Sequence, residues 1–244
     1  MTTAVRHTLK RLLGRRLTTR LRCLVHGNSL PRWGNLRRVV PFSTNFGFDR
    51  GTPVDRYYLH NFLERHRSLI TGDVLEIQSG GYAQRYGQNV RRVDSVDINP
   101  QVHPTFLCDL AHSEHVVPSA RYDCFLLPNT LQHLLDVESC LRHALRVVKP
   151  AGAIIASAAG FVPLIPDGPD YWRFSAAGWI ELLERIWTGC EIKVESHGNC
   201  LAAMGAMLGL AIEELTSAEL DVSDPRYPVL ITIICRKPLL GSEA

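Results

Sequence analysis

From residue 72 onward, short apolar runs alternate with stretches whose apolar residues recur every three or four positions. The runs fall at 73–77, 92–96, 105–107, 122–127, 153–158, 191–194 and 229–235. Most are too short for helices and are bounded by turn residues, which predicts strands. Between them, 136–148 and 176–187 carry helical spacing. So does 55–70 ahead of the first run, with Tyr58, Phe62, Leu63 and Ile70 in phase and Thr71-Gly72 as a stop. Strands alternating with helices predict a Rossmann-like, doubly wound, mainly parallel sheet covered on both faces.

Ahead of residue 50 the pattern changes. Leu residues at 9, 12, 13, 17, 21 and 24 lie close to the spacing of one helical face, with Arg and Lys on the others. This predicts a basic amphipathic helix over 8–25, weakened by Gly14 and the Thr18-Thr19 pair. Residues 27–50 are rich in Gly, Pro, Asn and Ser and read as an irregular linker. The expected division is a basic extension and linker over 1–50 and a second domain over 51–244.

Composition and charge sharpen this outline. The 244 residues are 45% hydrophobic, ample for a buried core. The net charge of +3 conceals two regimes: residues 1–50 hold eleven Lys or Arg against Asp49 alone, a balance of +10, which leaves −7 for the rest. A basic helix of this kind can lie on an anionic membrane, touch a polyanion, serve as a transit peptide, or pack its Leu face on its own subunit or a dimer partner. The longest uncharged stretches, 151–166 and 198–212, fall short of the roughly 18 to 20 apolar residues of a membrane span. The second belongs to an apolar segment, 201–215, expected to form a buried or dimer-forming helix. Seven scattered cysteines without a CxxC pair fit free thiols in a reducing, cytoplasmic setting. His103, His112, Glu114 and His115 cluster, but no strict spacing completes a ligand set, and no metal is expected.

Ligands of a doubly wound sheet bind at the carboxyl ends of its strands. The first strand, Asp73-Val74-Leu75-Glu76-Ile77, runs into Gln78-Ser79-Gly80-Gly81-Tyr82, a turn whose glycines permit close backbone approach. The second ends in Val96-Asp97-Ile98-Asn99-Pro100. Asp97 there is either a carboxylate for a ribose cis-diol or a helix cap. Cys108-Asp109-Leu110 follows the third strand and Leu127-Pro128-Asn129-Thr130-Leu131-Gln132-His133 the fourth. Four successive strand ends thus carry polar groups that can converge.

In this order, and joined by Tyr122-Asp123-Cys124-Phe125, the passage 141–152 (LRHALRVVKPAG) and Asp170-Tyr171-Trp172-Arg173-Phe174-Ser175, these segments resemble the class I S-adenosylmethionine (SAM)-dependent methyltransferases over about residues 55–237. The resemblance implies SAM as cofactor and a seventh, antiparallel strand at 229–235. It implies that Glu76, Gln78, Gly80 and Gly81 line the methionine end of SAM, that Asp97 with Ile98 holds the ribose, that Asp109 and Leu110 border the adenine, and that Asn129 lies below the sulfonium. The family loop E-x-G-x-G-x-G is altered here, with Gln78 at the first glycine position and Tyr82 at the third. Gly51-Thr52-Pro53-Val54-Asp55-Arg56-Tyr57-Tyr58 resembles a segment of bacterial members from glycan and secondary-metabolite gene sets, which implies a small-molecule or saccharide acceptor.

Methyl transfer from a sulfonium requires alignment, plus a base where the acceptor is a hydroxyl. His133, one helical turn past Asn129, is the base candidate; the alternative is a histidine packed on the sheet. Tyr57, Tyr58 and Arg56 are either a lid or core aromatics with a surface Arg. Asp170, Tyr171 and Arg173 lie in a Pro- and Gly-rich loop suited to acceptor binding, with Arg173 able to fork onto a carboxylate or phosphate. His197 and Asn199 are candidates for the same mouth. Two further readings stay open: a repurposed or non-catalytic protein that keeps the fold, and a domain whose basic N-terminus attaches it to anionic lipid or nucleic acid. Nucleic-acid methylation is not expected, because the −7 portion carries every proposed SAM contact.

Overall fold

The computed structural model describes residues 32–78, 80–166 and 168–239, together with Leu17, Cys23 and Val25. The chain divides into two compact units, Met1–Val40 and Pro41–Ala244. The predicted basic helix over 8–25 lies outside the described residues apart from those three. In the first unit a single 3-10 turn, Gly34–Leu36, follows the exposed Trp33. The second unit starts ten residues before the division expected from composition, because residues 41–53 are tied to it by backbone contacts described below.

Seven strands form one sheet: β1 (Gly72–Ile77), β2 (Val90–Asp97), β3 (Phe106–Leu107), β4 (Tyr122–Leu127), β5 (Val148–Ala159), β6 (Glu191–His197) and β7 (Leu230–Arg236). Their order is β3-β2-β1-β4-β5-β7-β6. β7 runs antiparallel to both β5 and β6, and the remaining pairs are parallel. This is the expected Rossmann-like sheet with an antiparallel last strand, and each apolar run found a strand. Strand periodicity divides the core: Leu75, Phe125, Leu127, Ile154 and Ile231 face one side, whereas Val74, Cys124, Leu126, Ile155 and Ile234 face the other.

The first face is covered by α3 (Val137–Val147) and α4 (Ala176–Ile186), through Leu141, Ala144, Trp179 and Leu183. Asp136 and Ser175 cap these helices by accepting the backbone N–H of Ser139 and Gly178. The second face is covered by α1 (Val54–Arg65) through Leu59, Phe62 and Leu63, by the short α2 (Tyr82–Tyr86), and by α5 (Cys200–Leu208) through Ala202, Ala203 and Ala206. Apolar composition from 201 to 215 predicted a longer helix. It stops at Gly209, whose φ of +69° is left-handed and against whose Cα the carbonyl of Ser43 packs. A short helix α6 (Ser217–Asp221) follows.

Residues 41–53 run along this second face. Phe42 and Ser43 donate their N–H groups to Leu208 O, and Ile212 donates to Thr52 O. Arg50 pairs with Glu214, while Glu213 accepts both the N–H and the hydroxyl of Thr52 at 2.9 Å. No helix among the described residues is long and apolar enough to cross a membrane.

Candidate active site

At the end of β1 the chain turns back through Gln78 and Gly81, both left-handed at φ +58° and +67°. That conformation costs a residue with a Cβ on the order of 1 kcal/mol, which explains why glycine is usual at the position held here by Gln78. The turn is held from below by buried Glu76, whose two oxygens accept the N–H groups of Gly81 and Ala83, each at 3.2 Å. A Cβ on Gly80 would come within 2.8 Å of the Tyr82 ring, whereas at Gly81 there is open space. Gly80 is exposed and Gly81 half-buried, with open space where a Gly81 Cβ would point.

Asp97 ends β2. One of its oxygens accepts the Asn99 N–H at 2.6 Å; the other has no hydrogen-bond partner among the described residues. Ile98 beside it is 71% exposed, an unusual setting for an isoleucine at a strand end. After β3, Asp109 accepts the Ala111 N–H at 2.9 Å and so caps a 3-10 turn, Leu110–His112, in which Leu110 is buried. A carboxylate with a spare oxygen, next to an exposed apolar side chain and an open glycine backbone, fits a ribose diol with its base and an attached amino-acid chain.

The end of β4 is more tightly netted. Asn129 adopts φ +49°, a left-handed value that Asn tolerates. Its N–H donates to Ser157 Oγ at 2.7 Å, its Oδ1 accepts from the same hydroxyl at 3.2 Å, and its Nδ2 donates to Asp55 Oδ2 at 2.8 Å. Buried Gln132 donates to Asn129 O at 2.8 Å and accepts the Ala159 N–H at 3.2 Å. His133 Nδ1 lies 2.6 Å from Pro169 O, and its Nε2 lies 2.8 Å from Gln132 Nε2. A carbonyl only accepts, so Nδ1 carries the proton, and the Nε2 lone pair accepts from the Gln132 amide.

Asn129, Gln132 and His133 line a cleft of about 200 Å³ with Asp55, Arg56, Asp170 and Arg173. Phe46, Val162 and Ile165 supply apolar wall. Asp170 and Arg173 form an ion pair with each other, and Tyr171 donates its N–H to Gln132 O while its side chain is exposed. Trp172 donates to Leu134 O and packs on Phe174, which meets Trp179 edge to face.

Three other candidates lie elsewhere. The Tyr57 hydroxyl donates to Asp221 at 2.6 Å, which pushes its own pKa up, and it lines a second cleft with Tyr58 and His197. His197 stacks on Tyr58, meets Phe62 at a tilt and bonds Thr232 Oγ1, so it packs against α1 instead of reaching the first cleft. Asn199 caps α5 and donates to Glu219 O and Val222 O. Both end β6, and the insertion of β7 between β5 and β6 carries that edge away from the β4 and β5 ends. Asp55 and Gln132 were not singled out from the sequence. Only the tertiary contact of α1 with the β4 end reveals them.

A seven-stranded sheet in this order, with β7 antiparallel, is the Rossmann-like methyltransferase fold. Residues 77–156 match the family model described as a methyltransferase domain. No curated protein matches the chain in sequence. Among solved structures, a SAM-dependent methyltransferase from Mesorhizobium loti is 15% identical with a TM-score of 0.53, over 75% of this chain and 100% of that one. Another from Archaeoglobus fulgidus is 17% identical with a TM-score of 0.51, over 80% and 100%. The [4+2]-cyclase SpnF is 16% identical with a TM-score of 0.51, over 91% and 92%. Similarity at this level is one of fold. Together with the matched segment, which spans residues 77–156, it supports a class I SAM-dependent methyltransferase with SAM as cofactor.

Proposed function

We propose that this methyltransferase acts on a small-molecule or saccharide acceptor seated in the cleft at the β4 and β5 ends. The observation that carries the reading is the cleft itself. It is small, about 200 Å³, walled by Phe46 and Ile165, and edged by Asp55, Asn129 and His133. A confined pocket with a few polar groups suits a small ligand better than a polymer. In this reading Asp97 and Ile98 hold the ribose, Asp109 and Leu110 border the adenine, and Gln78, Gly80 and Gly81, braced by Glu76, receive the methionine end. Asn129 lies below the sulfonium. Bound SAM supplies an electrophilic methyl group for in-line displacement.

The protein's own tasks are then to orient the acceptor and to take its proton. His133, the candidate from the sequence, spends its lone pair on Gln132 and its proton on Pro169, which suits it to fixing the loop that carries Asp170 and Arg173. Asp55 has one oxygen held by Asn129 and the other without a hydrogen-bond partner among the described residues, and it is our candidate for the proton acceptor. Tyr57 and Tyr171 have no role in this scheme.

Isothermal titration with SAM and S-adenosylhomocysteine (SAH), followed by mass spectrometry of reactions with hydroxylated small acceptors and saccharides, tests the proposal. A mass gain of one methylene with SAH release supports it; no binding heat at millimolar ligand would refute it. A second reading, the same pocket used for a reaction without methyl transfer, is favoured by the altered turn at Gln78 and Tyr82. The cyclase with this fold is a precedent. SAM bound but never consumed across the acceptor panel would support that reading instead.

A further inference from the structure

Resting on the methyltransferase reading, we propose that Arg56 anchors an anionic group, a carboxylate or a phosphate, on the acceptor. The cleft contains two guanidinium groups in different states. Arg173, the one expected from the sequence to bind an anion, is already occupied. Its Nη1 and Nη2 donate to the two oxygens of Asp170, a carboxylate only 5% exposed, and Nη1 also reaches Trp172 O at 3.2 Å. That fork is a closed internal pair.

The backbone N–H of Arg56 donates to Pro53 O, but its guanidinium makes no hydrogen bond among the described residues. Its nearest carboxylate oxygen is Asp55 Oδ2 at 3.8 Å, and that oxygen already accepts the Asn129 amide. The guanidinium side chain is 26% exposed, so it carries five N–H donors on the wall of the cleft, largely shielded from solvent, without a hydrogen-bond acceptor from the described residues. Leaving such donors unpaired while partly desolvated is costly, and a planar or tetrahedral anion is the group that satisfies them in pairs. The apolar wall of Phe46, Val162 and Ile165 sets the rest of the ligand: an apolar or aromatic body with one acidic group.

The methionine carboxylate of the cofactor offers the same chemistry, but Glu76, Gly80 and Gly81 are not among the residues lining this cleft, whereas Arg56 and Asn129 are. The anion is thereby assigned to the acceptor.

The test is calorimetric titration of the full-length protein, with and without saturating SAH, using 4-hydroxybenzoate, phenyl phosphate and neutral 4-hydroxybenzamide as probes. At least one anion is expected to bind about tenfold or more tightly than the amide, as a charged forked hydrogen bond implies. Arg56→Gln should erase that preference and Arg56→Lys should restore part of it, with SAH affinity unchanged in both. Binding of benzoate alone, or of phenyl phosphate alone, identifies the acidic group. Equal or undetectable affinity of anions and amide overturns the assignment, as does an Arg56→Gln protein that keeps the preference. A loss of SAH affinity in Arg56→Gln overturns it in favour of the cofactor carboxylate. A wild-type chain that prefers the anions but never binds SAH retains the Arg56 site and refutes only the methyltransferase reading.

Discussion

The two halves of the site are assembled by different kinds of contact. On the proposed cofactor side each carboxylate is held by its own neighbourhood: Glu76 through the N–H groups five and seven residues on, Asp97 and Asp109 each through one oxygen to the N–H two residues on. On the proposed acceptor side the partners are remote: Asn129 reaches Asp55 across 74 positions, His133 reaches Pro169 across 36, and Gln132 reaches Ala159 across 27. A local turn keeps its shape wherever its strand goes. A long-range net exists only when the whole sheet is formed, and it couples the acceptor cleft to packing of α1, β4 and β5.

The strongest way to separate the halves is Asp55→Asn. With the amide in place of the carboxylate, methyl transfer to a hydroxyl acceptor is expected to fall by about 10²- to 10⁴-fold in kcat, the usual share of a general base, with SAH affinity unchanged. A rate within threefold of wild type would remove Asp55 from the reaction. Asp97→Ala should do the converse, weakening SAH by about tenfold to a hundredfold in calorimetry through loss of charged hydrogen bonds, while the acceptor probes still bind. Undiminished SAH binding would refute the ribose assignment.

Gln132→Ala leaves Asn129 O, His133 Nε2 and the Ala159 N–H without their partner at once. Unfolding in urea should show a loss of about 1 to 3 kcal/mol with no change in the slope. The contrast is Glu213→Gln on the exposed strap contact, expected to cost under about 1 kcal/mol.

The smallest expected effect is pH dependence away from both halves. Burial lowers the pKa of His60, His66 and His197; for His197, nearby Arg65, Lys193 and His66 act in the same direction and Glu195 against it. The folded chain therefore binds fewer protons than the unfolded one between the lowered values and about 6.5, the ordinary histidine value. Stability from these groups is complete above that pH and is lost as pH falls through the folded values. The thermal midpoint should decline from pH 7 to pH 5, and His197→Gln should flatten the decline; an unchanged slope would show that His197 does not contribute.

Much of the fold was legible because strand and helix periodicities are properties of consecutive residues. All seven apolar runs became strands, and the antiparallel position of the last one follows from the family resemblance. The ends of elements were less legible. Helix α5 stops at the left-handed Gly209, where the Ser43 carbonyl occupies the space of a Cβ, and residues 41–53, turn-rich and unpatterned, join the second unit through contacts to Leu208, Glu213 and Glu214. In the cleft, His133, Asp170 and Arg173 do gather, but Tyr57 and His197 face another cavity. Their chain positions near strand ends were compatible with either outcome.

The amino-acid sequence by itself determined the alternating elements, the strand-end turns and the carboxylates those turns hold, since each depends on residues within a few positions of one another. Tertiary structure alone decided which side chains share the cleft at the β4 and β5 ends, and which of its two arginines is already paired. The pairing of Arg173 with Asp170 could have been guessed from their spacing. The open state of Arg56 could not, because it depends on Asn129 arriving from β4 to occupy the carboxylate beside it.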